Sequence, residues 1–201
     1  MGTVMKNLIK EVRISLIATL LLAILVCGLY PLAVWVAGHG LFPEKSEGSL
    51  VMSKGKVMGS SLLAQGFWGP HYFHPRPSAA GEGYDSARSG ATNWGPLSKK
   101  LIDTVRERVV AYRVENHLAP DTPVPADAVT ASASGLDPHI SVKNARLQAR
   151  RVAKARSLTV ELVLEKIEVH TEGRTLGILG EPRVNVLMLN LDLSTAPSPA
   201  H

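Results

Sequence analysis

The chain has 201 residues, a formal net charge of +5 and a single cysteine. So small a charge excess does not point to nucleic acid as a partner, and one cysteine excludes a disulfide framework as the source of stability. The length suffices for one compact domain beside one membrane span.

No residue between Arg13 and Glu44 carries a formal charge, and Leu, Ile, Val and Ala dominate residues 14–38. About 20 apolar residues cross the roughly 30 Å hydrocarbon core as a helix. This run is apolar on every side rather than along one stripe, which excludes a surface helix in water. It predicts one transmembrane helix over residues 14–38, with residues 1–13 before it and an exported domain, residues 39–201, after it. Lys6, Lys10 and Arg13 precede the span, whereas Glu44, Lys45 and Glu47 follow it. The positive-inside rule then leaves the N-terminus in the cytoplasm. Tyr30 and Trp35 fall near the far end, where amphipathic rings favour the headgroup layer, and Pro31 predicts a kink. The apolar core is longer than that of a cleaved signal peptide, and Trp35-Val36-Ala37 is a poor cleavage site. Cys27 reads as a small packing residue. With Gly28 and Ala33 it allows another helix to approach closely.

Beyond the span, residues 50–52 and 57–58 flank Ser53-Lys54-Gly55-Lys56, which reads as a hairpin around a Gly-containing turn. Residues 67–96 hold six aromatics, five glycines and four prolines without periodicity. Prolines and glycines forbid a long helix there, and the aromatics argue against disorder, so an ordered, surface-packed loop is expected. Its His71 and His74 are spaced like metal ligands, with Asp85 as a candidate third. They lack a helix to align them and the glutamate of the zinc peptidase motif, so the reading is of no metal, with both imidazoles bonded to loop carbonyls.

Ser98 is placed to cap a helix over residues 99–117, where Leu101, Ile102, Val105, Val109 and Tyr112 recur at helical spacing. After a Pro-rich connection, residues 127–141 (DAVTASASGLDPHIS) carry Ser132, Ser134, Asp137 and His139. Alanine stands where the nucleophile elbow needs its first glycine, so turns and caps are the better reading. A second helix, residues 141–156, has a narrow stripe of Val142, Ala145, Ala149, Val152 and Ala153 opposite Lys143, Arg146, Arg150 and Lys154. The segment contains no acid, so its basic face is either solvated or open to an acidic partner. Gln148 and Arg151, one turn apart, can bond the same group. Ser157 or Thr159 caps a third helix over residues 160–170. Residues 184–193 (VNVLMLNLDL) alternate and predict a strand, and the Pro/Ser-rich tail from Ser194 predicts a frayed end. The fold class expected is α+β: one N-terminal transmembrane helix, then a single exported domain with a small antiparallel sheet and about three helices.

Four blocks (residues 72–96, 127–141, 148–156 and 180–193), together with the single span, resemble the C subunit of the bacterial Kdp-type potassium-transporting P-type ATPase complex. The resemblance implies a non-catalytic accessory subunit of the bacterial inner membrane with a periplasmic C-terminal domain. Its implied partners are a potassium-channel-like subunit, a P-type ATPase subunit and a small single-span subunit, besides the lipid bilayer. Potassium is then the transported ion, and ATP is used through the catalytic subunit, whose nucleotide affinity this subunit raises as a catalytic chaperone. The family's Q-x-x-R element maps to Gln148 and Arg151 as an implied ATP contact. The chain itself contains no D-K-T-G motif, phosphate loop or T-V-G-Y-G filter, which points to a subunit that neither hydrolyses ATP nor conducts potassium. The positive-inside argument puts Gln148 outside, away from cytoplasmic ATP. The basic helix, with Lys143, Arg150 and Lys154, is then simpler to read as a docking surface, and Tyr72 and Arg76 of the aromatic loop are the other candidate interface residues. The alternative is a membrane-tethered exported enzyme or binding protein using His71, His74 and Asp85, or Ser132 and His139.

Overall fold

The computed structural model describes residues 2–195, and the chain divides into two compact units between Ser49 and Leu50. The expected tail from Ser194 lies largely outside the described residues. In the first unit a helix begins at Gly2, earlier than the apolar run alone suggests. It continues as α1 (Gly2–Ala23), a π-helical segment (Ile24–Leu29) and α2 (Tyr30–Leu41). Met5–Leu41 is long and apolar enough to cross a membrane. The π turn has a cause in Pro31, which lacks an N–H and whose ring crowds the carbonyl one turn back. Widening the preceding turn relieves that crowding, and the Tyr30 N–H accordingly bonds the Leu25 carbonyl, five residues away. Phe42 then leaves helical geometry (φ −138°, ψ 58°), and a single turn, α3 (Pro43–Ser46), follows.

The second unit opens with an antiparallel hairpin, β1 (Leu50–Ser53) and β2 (Lys56–Ser60). Its two-residue turn, Lys54-Gly55, has φ of 49° and 75°, the left-handed geometry that two-residue hairpins require. Then come α4 (Lys99–Glu115), α5 (Ala126–Val129), β3 (His139–Ser141), α6 (Val142–Arg156), α7 (Val160–Val169), β4 (Thr171–Glu172), β5 (Arg183–Asn185) and α8 (Val186–Thr195). The strands β3, β5 and β4 form an antiparallel sheet in that order, with Val184 opposite both Ile140 and Thr171. Ser141 caps α6 by accepting from the Asn144 N–H, and Thr159 caps α7 by accepting from the Leu162 N–H. Ser98 occupies the capping position of α4 without a side-chain bond. The α+β class with one N-terminal apolar helix and a small antiparallel sheet is what the structure shows.

One element differs. Residues 184–193 are not a strand: pairing stops at Asn185, and α8 starts at Val186. Apolar residues occupy both parities of VNVLMLNLDL, so the alternation was not selective. The buried set Val186, Leu187, Leu189, Asn190 and Leu193 has helical spacing. Leucine and methionine favour helix, and Asn185 starts it, its Oδ1 accepting the Met188 N–H at 3.2 Å.

The core lies between α6, α7, α8 and the three-stranded sheet, around Ile140, Val152, Val163, Ile167, Val184 and Leu189. Alanines 145, 149 and 153 on the buried face of α6 permit its close approach to α7. Burying each large aliphatic side chain contributes about 1.5–3 kcal/mol. Residues 67–96 form no long element, yet Phe73 is fully buried in this core. The returning segment must pass so close that a Cβ on Gly135 (φ +69°) would meet the Ala80 nitrogen at 2.6 Å, so only glycine fits.

Candidate functional site

Loop backbone threaded through a helical core leaves buried N–H and C=O groups that need partners. Two carboxamides supply them. The Phe73 N–H donates to Asn190 Oδ1 at 2.8 Å, and Asn190 Nδ2 donates to the Phe73 carbonyl at 2.9 Å. One residue on, the His74 N–H donates to Gln148 Oε1 at 2.8 Å, and Gln148 Nε2 returns a bond to the His74 carbonyl at 3.1 Å. Each side chain imitates a neighbouring strand, so an unpaired segment is held as if in a sheet.

Arg151 extends this clasp. Its Nη1 donates to the Pro70 and Tyr72 carbonyls at 2.6 and 2.9 Å, its Nε to Asn116 Oδ1 at 3.0 Å and its Nη2 to Gln148 Oε1 at 2.8 Å. Gln148 Nε2 also donates to Asn144 Oδ1 at 2.9 Å, which completes both acceptor and both donor positions of that amide. Gln148 is 1% exposed and Arg151 4%. Burial pulls the Arg151 pKa down from its usual value, against the opposing pull of Glu115. Tyr112 donates to Asn144 Oδ1 at 2.8 Å, and burial, reinforced by Asp127, raises its pKa so that it stays a neutral donor. Asp127 closes the network, accepting from the Ser141 N–H, the Ser141 hydroxyl and Asn144 Nδ2.

The remaining nominated residues divide between internal ties and open surface. His74 Nδ1 lies 2.9 Å from Glu115 Oε1 and its Nε2 3.0 Å from the Gly69 carbonyl, and the hydrogen bond from His74 holds Glu115 below its usual pKa. These two line a cleft of about 220 Å³ with Phe67, Trp68 and Tyr84. His71 packs at a tilt against Tyr72, with ring centroids 4.1 Å apart and planes at 45°, while Asp85 pairs with Arg88. Among the described residues no three His, Cys, Asp or Glu side chains are grouped to hold a metal ion. Ser132 is buried, and no hydrogen bond joins it to His139. Tyr72 packs against Phe67 and beneath the Arg156 guanidinium. Arg76 bonds Asp137 Oδ2 at 3.1 Å and the Ala131 carbonyl at 3.3 Å, so it ties the loop to residues 131–137. Lys143, Arg150 and Lys154 are exposed on α6 without an ion pair among the described residues, whereas Arg146 pairs with Glu168.

Sequence reasoning passed over Asn116, Asp127, Asn144 and Asn190. The available signal was an amide inside an apolar run, Leu189-Asn190-Leu191, since a buried amide implies a backbone to satisfy.

The family model for KdpC, described as K+-transporting ATPase, c chain, matches residues 12–195. A protein of Nitratidesulfovibrio vulgaris named Potassium-transporting ATPase KdpC subunit is 54% identical over 185 residues, covering 90% of this chain and 92% of that protein. Its namesake from Mycobacterium tuberculosis is 50% identical over 188 residues, 94% of this chain and 97% of that protein. Another from Koribacter versatilis is 46% identical over 195 residues, 96% and 97% of the two chains. Identity at this level across nearly both full lengths places the chain in the KdpC family, the c chain of the K+-transporting ATPase.

Proposed function

We propose that this chain is a non-catalytic, single-pass subunit that assembles and stabilises an ATP-driven potassium transporter of the bacterial inner membrane. Its partners in this reading are a potassium-channel-like subunit, a P-type ATPase subunit and a small single-span subunit. The N-terminus is cytoplasmic and the domain beyond the span periplasmic. ATP affinity of the catalytic subunit rises indirectly, through assembly, rather than by contact with Gln148 and Arg151. The observation that carries this reading is the state of the chemistry-bearing side chains. Those of His74, Arg76, Asp85, Gln148 and Arg151 are all engaged in holding the fold.

The test compares the purified complex with and without this chain. Omitting it should raise the KM for ATP, lower potassium-stimulated ATP hydrolysis and reduce recovery of the other subunits. A complex that assembles and hydrolyses ATP with unchanged KM in its absence would sink the accessory role. Intrinsic hydrolase activity of the isolated chain would favour a tethered exported enzyme instead.

A further inference from the structure

Between β4 and β5 the chain runs outward through residues 173–182 and returns. Thr175 and Leu179 pair across it, the Thr175 N–H bonding the Leu179 carbonyl at 2.8 Å and the Leu179 N–H the Thr175 carbonyl at 3.0 Å. At the base Arg174 Nη2 donates to both Glu181 carboxylate oxygens, at 2.9 and 2.8 Å. The tip turns at Leu176 and Gly177, whose φ are +55° and +76°. The Ile178 N–H also bonds the Thr175 carbonyl at 3.3 Å, so Leu176 and Gly177 are the central pair of a β-turn with both φ positive. Such a pair favours Asn-Gly or Asp-Gly, because a leucine in the left-handed region crowds its own backbone.

This leucine is also 86% exposed, with Ile178 72% and Leu179 58% exposed beside it. Nothing lies within 4 Å of where a Cβ would stand on Gly177 or Gly180, so the tip has open space around it. Asparagine at 176 would turn more easily and meet water more favourably. A position that breaks the turn rule and the solvation rule together, with no internal compensation, marks a surface made for something else. The closed base holds the tip in shape before binding, which reduces the ordering penalty on association.

We propose that residues 176–179 form a knob that seats in an apolar cleft on another subunit of the transporter, an assignment that rests on the subunit role argued above. The surrounding charges choose a protein over a lipid surface. Arg174 pairs with Glu181 and Arg183 with Glu172, so the rim is balanced and no cation is left for anionic headgroups. Residues 171–183 also lack any aromatic or lysine with which a bilayer-inserting loop anchors itself. An aliphatic centre ringed by paired charges of both signs is the anatomy of a protein interface.

The test uses the whole complex, purified through a tag on this chain. Leu176→Asn should leave the unfolding midpoint of the chain equal or higher, since asparagine suits the turn, while recovery of the partner subunits falls about tenfold, as for a lost interface anchor. In a Cys27→Ala background, Ile178→Cys labelled with a benzophenone maleimide should crosslink to another subunit on illumination. Undiminished recovery with Leu176→Asn, or crosslinks to lipid or to a second copy of this chain alone, overturns the knob. A parent chain recovered with no partner subunit overturns the subunit reading, and the knob with it.

Discussion

Gln148 and Arg151 show how far a side chain's role depends on what surrounds it. As sequence they are two polar residues one turn apart on a basic helix, suited to an external ligand. In the fold they face inward and hold carbonyls and N–H groups of residues 70–74. Arg151→Ala would strand the Pro70 and Tyr72 carbonyls, Asn116 Oδ1 and one Gln148 acceptor position. The expected loss is about 3–5 kcal/mol, seen as a large drop in the unfolding midpoint of the full chain in detergent. A nucleotide-contact role predicts the opposite pattern, with the midpoint unchanged and ATP affinity of the complex reduced. Asp137 offers a test by pH. Burial alone would raise its pKa, but the side-chain and backbone bonds of His139 and the Arg76 guanidinium outweigh it and bring the carboxyl to about 2. That lies below the roughly 3.9 of an unfolded chain, so the ionised form stabilises the fold. The contribution is fully present above about pH 4 and is lost as pH falls through about 2. Asp137→Asn should therefore lower stability at pH 7 by on the order of 1–2 kcal/mol. The gap between parent and variant should close on acidification to pH 2, followed by denaturant titration at each pH.

At the scale of elements, period and capping predict well where one face is clearly apolar and the other clearly polar. Helices α4, α6 and α7 have such faces, and the hairpin has a turn residue with no alternative use. In α8 both faces are apolar, so strand and helix fit the same ten letters, and the cap at Asn185 decides. The helix matters for what it aims inward: a strand would send Asn190 and Leu189 to opposite faces, whereas the helix buries both and brings the Asn190 amide to Phe73. Within the span, Pro31 predicts a kink, and the chain accommodates it as a widened π turn from Ile24 to Leu29. Proline's missing donor fixes where the helix must depart from regularity but not the form of the departure.

On the scale of the whole molecule, the one long apolar helix among the described residues and the KdpC family membership together describe a membrane-associated single-pass subunit. Its orientation is a matter of charge: Lys6, Lys10 and Arg13 lie on the N-terminal side of the uncharged stretch. A reporter that works only outside the cytoplasm, fused to the C-terminus, should be active in cells, and its cytoplasmic counterpart silent. The reverse result would invert the topology and bring α6 into the compartment that holds ATP.

The sequence by itself determined the span, the α+β class, three of the helices, the first hairpin and the family, because each rests on a local period, a turn residue or an ordered set of motifs. It also nominated residues 67–96 as ordered, since that many rings are not left in water. Only the tertiary structure decided that Phe73 sits at the centre of the core and that Asn190 and Gln148, 117 and 74 residues away from their partners, hold the backbone of Phe73 and His74. Such pairings leave no periodic trace: an amide satisfying a distant carbonyl reads the same in sequence as one facing water. The exposure of Leu176, Ile178 and Leu179 was hidden for the converse reason, because three aliphatic letters read the same whether the fold buries them or leaves them outside.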